Sequence, residues 1–290
     1  MRAIKAFIMI PRLSSLLSFL ASSSLIIQIL SDGNKLEYLY HQLILGMSCF
    51  DLVTSVATGF SKFATPKYTE VLPNVGYFYR SMGNDFTCKA QGFFIQLGYG
   101  SLFYNIALSF YYVLVIKYGW KESKLQGIVY WMHLPSVLAF GIAIFGIPFY
   151  GPITGICYIN MITNGRFTVT MFGIVPVLVT TFFATLSMIL IYVSVRANRG
   201  KFKFQHESQR NPASKRLETE VAKQALCYLM GFYLTWPLLV LMTYTETLPH
   251  FLYLAAYTMY PLQGFFNFIV YTRPYYEKNR RTRNRSSFST

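Results

Sequence analysis

Charge is scarce in this chain, and negative charge is scarcest. Of 290 residues 13% are charged, with 26 Lys and Arg against 11 Asp and Glu. A soluble domain carries about 25% charged residues, so a water-facing globule is excluded. The four histidines form no cluster. His133 has no second histidine at ligand spacing, and it reads as a hydrogen-bonded interface residue rather than a metal ligand. Paired catalytic acids and a Gly-x-Ser-x-Gly string are missing too, so an enzyme within the membrane has no machinery to point to. No segment repeats visibly between the first and last thirds, and no heptad array occurs. Cysteine is limited to four residues. Cys49 and Cys227 fall inside apolar runs and read as inert core thiols. Cys88 and Cys157 fall at or near the ends of runs and are able to pair.

The abundance is apolar and aromatic. Hydrophobic residues make up 53% of the chain and aromatics 18%, including 23 Tyr and 26 Phe, with mean hydropathy +0.37. Seven apolar runs follow one another at 7–30, 41–61, 88–116, 126–148, 167–195, 224–243 and 251–271. About 20 apolar residues cross the ~30 Å hydrocarbon core as a helix. The expectation is therefore an all-α membrane protein, a single bundle of seven transmembrane helices over 1–290, with a basic tail at 272–290. The first run also resembles a signal peptide. It is long and lacks a clear small-x-small cleavage site, and it reads as a retained helix. Its serines at 14, 15, 18, 22, 23 and 24 are small enough to let helices approach closely.

Polar groups inside the runs stand out because hydrocarbon offers them no partner. Asp51 is the one charge in the second run. Gln91, Gln96 and Asn105 lie in the third, and Gln263 and Asn267 in the seventh. Pro176, Pro237 and Pro261 interrupt the fifth, sixth and seventh runs; each removes a backbone hydrogen bond and permits a bend.

Basic residues set an orientation. Eight Lys and Arg lie on the side of the N-terminus and 18 on the other. Positive residues stay in the cytoplasm, which puts the N-terminus outside and the tail inside. The net charge of +15 then belongs to inner loops facing anionic lipid, not to nucleic acid. Cys88 and Cys157 come to lie on the outer side, where disulfides form, and a bond between them is expected.

Seven runs, an outer N-terminus and two outer cysteines so placed resemble a G-protein-coupled receptor, over nearly the whole chain. Ser48-Cys-Phe-Asp51-Leu-Val53 resembles the second-helix motif of rhodopsin-type receptors. Trp131 matches the fourth-helix tryptophan and Pro176 the fifth-helix proline. Thr235-Trp236-Pro237 resembles the sixth-helix Cys-Trp-x-Pro string, and Asn267-Phe-Ile-Val-Tyr271 resembles Asn-Pro-x-x-Tyr with Phe268 in place of proline. Gln263-Gly264-Phe265 is more similar to cyclic-AMP-receptor-like and secretin-like receptors. The chain thus resembles a divergent receptor between the rhodopsin-type and cyclic-AMP-receptor-like groups.

That resemblance implies an outer ligand, a helix rearrangement and a heterotrimeric G protein on the inner face, at the plasma membrane and without a cofactor. It makes Asp51, Asn105, Trp236, Pro237, Gln263, Asn267 and Tyr271 a candidate switch network, with sodium at Asp51 a minor possibility. Gln91, Ile95, Gln96, Tyr99, Tyr253 and Tyr257 are candidates for a ligand pocket. Tyr112, Lys117, Arg196, Arg199, Lys215, Arg216, Lys223 and Arg273 are candidates for the G-protein face, and a short basic eighth helix is expected after Pro274. The family's Asp-Arg-Tyr is replaced by Tyr112-Val113-Leu114, so Tyr111, Tyr112 and Lys117 are expected to supply another inner lock. Ile95 stands where an amine receptor would carry Asp. No lysine lies between 249 and 271 to anchor retinal. The rival reading is a seven-helix transporter of a small solute; its Pro-Gln motif is absent, the nearest string being Pro261-Leu262-Gln263.

Overall fold

The computed structural model describes residues 2–67, 70–72, 76–77, 81–153, 156–159, 161–201, 212–244 and 250–274. The tail beyond Pro274, with its expected short helix, lies outside them, as does part of the basic 196–223 loop.

Six helices among the described residues are long and apolar enough to cross a membrane: Met9–Leu30, Leu39–Ala64, Asp85–Ile116, Val129–Phe149, Thr163–Ser194 and Ala222–Leu241. They are spans 1 to 6 below. The chain is a multi-pass membrane protein.

The seventh run does not form one helix. His250–Met259 is helical, Tyr260–Leu262 is a 3-10 turn, and residues 263–274 are helical again. Pro261 causes the break, because it has no N–H to continue the ladder and its ring crowds the preceding turn. Similar interruptions correct three other runs. Span 3 starts at Asp85, where Asn84 and Thr87 form a reciprocal capping box, and it is divided at Gly98. Span 4 is divided at His133, just ahead of Pro135. Span 5 loosens into a π-turn at Thr170–Ile174, immediately before Pro176.

The connection at 149–166, between the fourth and fifth apolar runs, contains an antiparallel hairpin. Its strands are Tyr150–Ile153 and Ile156–Ile159, and Pro152 is paired with Cys157. Cys157 and Ile159 point inward, and their neighbours are half-buried.

Span 3 is the most buried of the six, with Leu102, Tyr104, Leu108 and Tyr112 at the centre of the core. Span 1 lies against span 2 through serine. Ser14, Ser15, Ser18 and Ser22 are buried, and Ser15 Oγ lies 2.9 Å from Thr58 Oγ1. One assignment made on apolar character is corrected. Cys49 is exposed on the outside of the bundle, and Trp131 is 76% exposed. Lipid accepts apolar side chains as readily as the core does, so apolar type does not say which way a residue faces.

Candidate functional site

The polar groups that the sequence scatters along the chain gather into three layers. The first lies at the hairpin end. Cys88 and Cys157 are joined by a disulfide, with their Cα atoms 5.2 Å apart. One turn further along span 3, Gln91 donates from Nε2 to the carbonyls of Ala57 and Ser61, both at 2.9 Å, and its Oε1 accepts the N–H of Cys157 at 2.9 Å. Both amide protons and the oxygen are bonded to backbone, so Gln91 tethers the hairpin to span 2.

Gln96 and Tyr99 face the π-turn of span 5. A π-turn leaves carbonyls without their usual helical donors. Gln96 Nε2 donates to Phe172 O at 3.0 Å, and the Tyr99 hydroxyl donates to Gly173 O at 2.9 Å. Tyr158 of the hairpin reaches in and donates to Tyr99 Oη at 3.1 Å. Burial pushes the Tyr158 hydroxyl well above its ordinary pKa, so it stays protonated and able to donate. Trp236 is wedged edge-on between Tyr99 and Tyr260, with ring centroids 5.3 and 5.2 Å away. The Tyr260 hydroxyl points to Ile95 O at 3.4 Å, near the break at Gly98. Ile95 and Gln96 are buried. Gln96 Oε1 and Trp236 Nε1 are buried polar atoms without a hydrogen bond. Tyr257 lies in the His250–Met259 helix, as does Tyr253.

The second layer is midway along the bundle. Asn267 Nδ2 donates to Asp51 Oδ2 at 2.7 Å. Gln263 Nε2 lies 3.4 Å from Asn267 Oδ1, and Thr235 Oγ1 donates to Gln263 Oε1 at 2.6 Å. All four side chains are buried. A hydrogen-bonded row therefore runs from span 2 through the seventh segment to span 6, where it ends beside the helix break at Trp236 and Pro237. Ser101 of span 3 sits beside the Asp51 carboxyl group. Asn105 does not join the row; its amide donates to its own helix, at Ser101 O. Among the described residues no three His, Cys, Asp or Glu side chains form a metal site, so a cation at Asp51 would have one carboxylate only.

The third layer is at the tail end. Tyr271 Oη lies 3.2 Å from His41 Nδ1 of span 2. Arg273 donates to Cys227 Sγ at 2.9 Å. Tyr112 is buried in span 3. Lys117, expected near the lock, instead rests over Tyr118, 5.2 Å from its ring centre. Lys223 pairs with Glu220 at 3.5 Å. Arg196 and Arg199 fall in the last turns of the helix Val175–Lys201, and Lys215 and Arg216 in the first turns of Pro212–Thr235.

No family model and no curated protein matches the chain. Among solved structures, the crystal structure of squid rhodopsin matches with a TM-score of 0.65, at 14% identity, covering 92% of this chain and 80% of that one. The fold is rhodopsin-like. At that identity the match speaks for the rhodopsin-like architecture alone, and the roles of single residues rest on the geometry above.

Residues outside the sequence-based selection complete these layers. Thr235 entered it only as part of a motif, and Tyr158, Tyr260, Tyr40 and Tyr228 did not enter it. Tyr158 carried one usable signal, its position next to Cys157 in an alternating stretch. The other three are ordinary members of a chain with 23 tyrosines.

Proposed function

We propose that the chain is a receptor that transmits binding of an outside ligand to a heterotrimeric G protein on the cytoplasmic side. The observation that carries this reading is the buried row Asp51–Asn267–Gln263–Thr235. It links three spans, and it ends at the Trp236–Pro237 break, beneath the cluster of Tyr99, Tyr158 and Tyr260. A ligand that prefers one packing of that aromatic cluster shifts the helix bundle by its difference in affinity between the two states, and the row conveys the shift toward the tail end. The rhodopsin-like fold supports the same reading, and it does not favour the transporter. Residues 249–271 contain no lysine, so the ligand is held without a Schiff base. The hairpin end, with its disulfide, faces outward in this reading, and the seventh segment crosses the membrane with its bend at Pro261. The protein sits in the plasma membrane, and the conformation described is the resting one.

The test is nucleotide exchange on purified heterotrimeric G proteins by the receptor in nanodiscs. Wild-type protein should give measurable basal exchange with at least one G-protein class. Asp51→Asn keeps the shape but replaces one carboxyl oxygen with an amide nitrogen, which weakens the bond accepted from Asn267 by about 1 kcal/mol. It should raise basal exchange about five-fold. Unchanged exchange in this variant would remove Asp51 from the switch. Solute flux in liposomes without any exchange would replace the receptor with a carrier.

A further inference from the structure

The tail end of span 3 has no acid–arginine pair, yet the bundle is closed there by another set of groups. Tyr40, in the first turn of span 2, is the hub. Its hydroxyl lies 3.2 Å from Tyr228 Oη and accepts from Gln224 Nε2 at 2.7 Å, both on span 6. Its ring stacks on Tyr271 of the seventh segment, with centroids 6.2 Å apart and planes 7° apart. The same ring lies 6.0 and 6.3 Å from Tyr111 and Tyr112 of span 3. Tyr271 returns to span 2 through His41 Nδ1. Four segments thus meet on one phenol, and each is at the level where a G protein would have to insert.

We propose that this tyrosine cluster is the latch that keeps span 6 against span 2, span 3 and the seventh segment in the resting state, in place of an ionic pair. The proposal rests on the receptor reading given above. Its chemistry distinguishes it from a charged lock. Breaking a buried ion pair strands a charge at low dielectric, whereas breaking a phenol–phenol bond strands only hydroxyls, which water reaches once the end opens. Each such bond holds the closed state by a factor of about five. A latch of this kind opens often, so the receptor should have substantial basal activity.

Cys227 reports on the opening. It sits half-buried beside Tyr228 and accepts from Arg273, and spreading of span 6 exposes it. The measurement is the rate at which a water-soluble maleimide labels Cys227 in Cys49→Ser protein, in detergent with no G protein present. Tyr40→Phe, which loses two hydrogen bonds, should raise the rate by at least five-fold. Tyr228→Phe should raise it about five-fold, and the double variant should match Tyr40→Phe because the two share a bond. Tyr130→Phe, on the exposed surface, should leave it unchanged. A wild-type rate in Tyr40→Phe and Tyr228→Phe overturns the latch, as does an equal rise in Tyr130→Phe. Labelling that shifts in the expected order while no variant, wild type included, stimulates nucleotide exchange supports the latch and overturns the G-protein reading instead.

Discussion

Gln91→Ala protein should be less stable than wild type by about 2–4 kcal/mol, from the loss of three hydrogen bonds and the stranding of a buried N–H. Gln91 is 4% exposed, and its one amide satisfies Ala57 O, Ser61 O and the N–H of Cys157. Those three groups belong to the last α-helical turn of span 2, the 3-10 turn that ends it and the hairpin. Ser61 also has a φ of 46°, an unfavourable backbone conformation for a residue with a side chain, and the Gln91 amide helps hold that turn. Gln91→Glu should be worse than Gln91→Ala, since a carboxylate cannot donate to two carbonyls and its charge is costly to bury. Thermal unfolding in detergent gives the order, wild type above Ala above Glu. With the Cys88–Cys157 bond reduced, every midpoint should fall further, because cross-link and amide hold the same hairpin by separate means. If Gln91→Ala melts with wild type, the hairpin is not tethered as described. Per folded molecule, the Ala variant should keep any ligand response, because both amide protons are already given to backbone carbonyls.

Gln91 also shows what the sequence could and could not convey. The apolar runs were legible because some 20 uncharged residues in a row have few other uses. The buried amides were legible as functional or structural, because hydrocarbon gives them nothing to bond with. Which of those it would be was not legible. Gln91 and Gln96 are the same residue type five positions apart on one span, and only their neighbours separate them: one meets the hairpin backbone, the other the π-turn at Thr170–Ile174. The pairing of Asp51 with Asn267 joins residues 216 positions apart, and only a resemblance to known receptors suggests it. Orientation within the bundle was the weakest inference. In water the apolar face of a helix marks the core, but in lipid both faces are apolar, and Cys49 was misplaced for that reason. Tyr40 was missed for another. It falls in the gap between the apolar runs 7–30 and 41–61, whereas the structure has a 3-10 helix at Gly33–Glu37 and starts span 2 at Leu39. Breaks at Gly98 and His133 carried no decisive mark, while those at Pro237 and Pro261 did, through the missing N–H of proline.

Gly264→Val should separate the seventh segment from spans 1 and 2, and this is the largest effect expected of a single uncharged substitution in the middle layer. Gly264 follows Gln263 and faces Ser18, Ser22 and Asp51. A Cβ at this position would overlap Ser22 Oγ and lie 2.6 Å from Ser18 Oγ and 3.1 Å from Asp51 Cβ. The serine hydroxyls have no hydrogen bonds to lose and turn aside by rotation about one bond, so Gly264→Ala should cost only about 1 kcal/mol. Valine adds two methyl groups to the same gap and has one favoured rotamer in a helix. Rotating the serines no longer makes room, and the backbones must part, at about 3 kcal/mol or more. Parting lengthens the 2.7 Å bond from Asn267 to Asp51, so the two losses are coupled: the valine variant should melt far below wild type, and the protein that remains folded should show the raised basal exchange expected of Asp51→Asn. Adding Ser22→Ala to Gly264→Ala removes the overlapping oxygen and should restore the wild-type midpoint, whereas adding it to Gly264→Val should recover only part of the loss. Equal stability of the glycine, alanine and valine proteins would mean that the seventh segment does not pack on the serine face of span 1, and the Asp51–Asn267 bond would lose the close approach of helices on which its geometry depends.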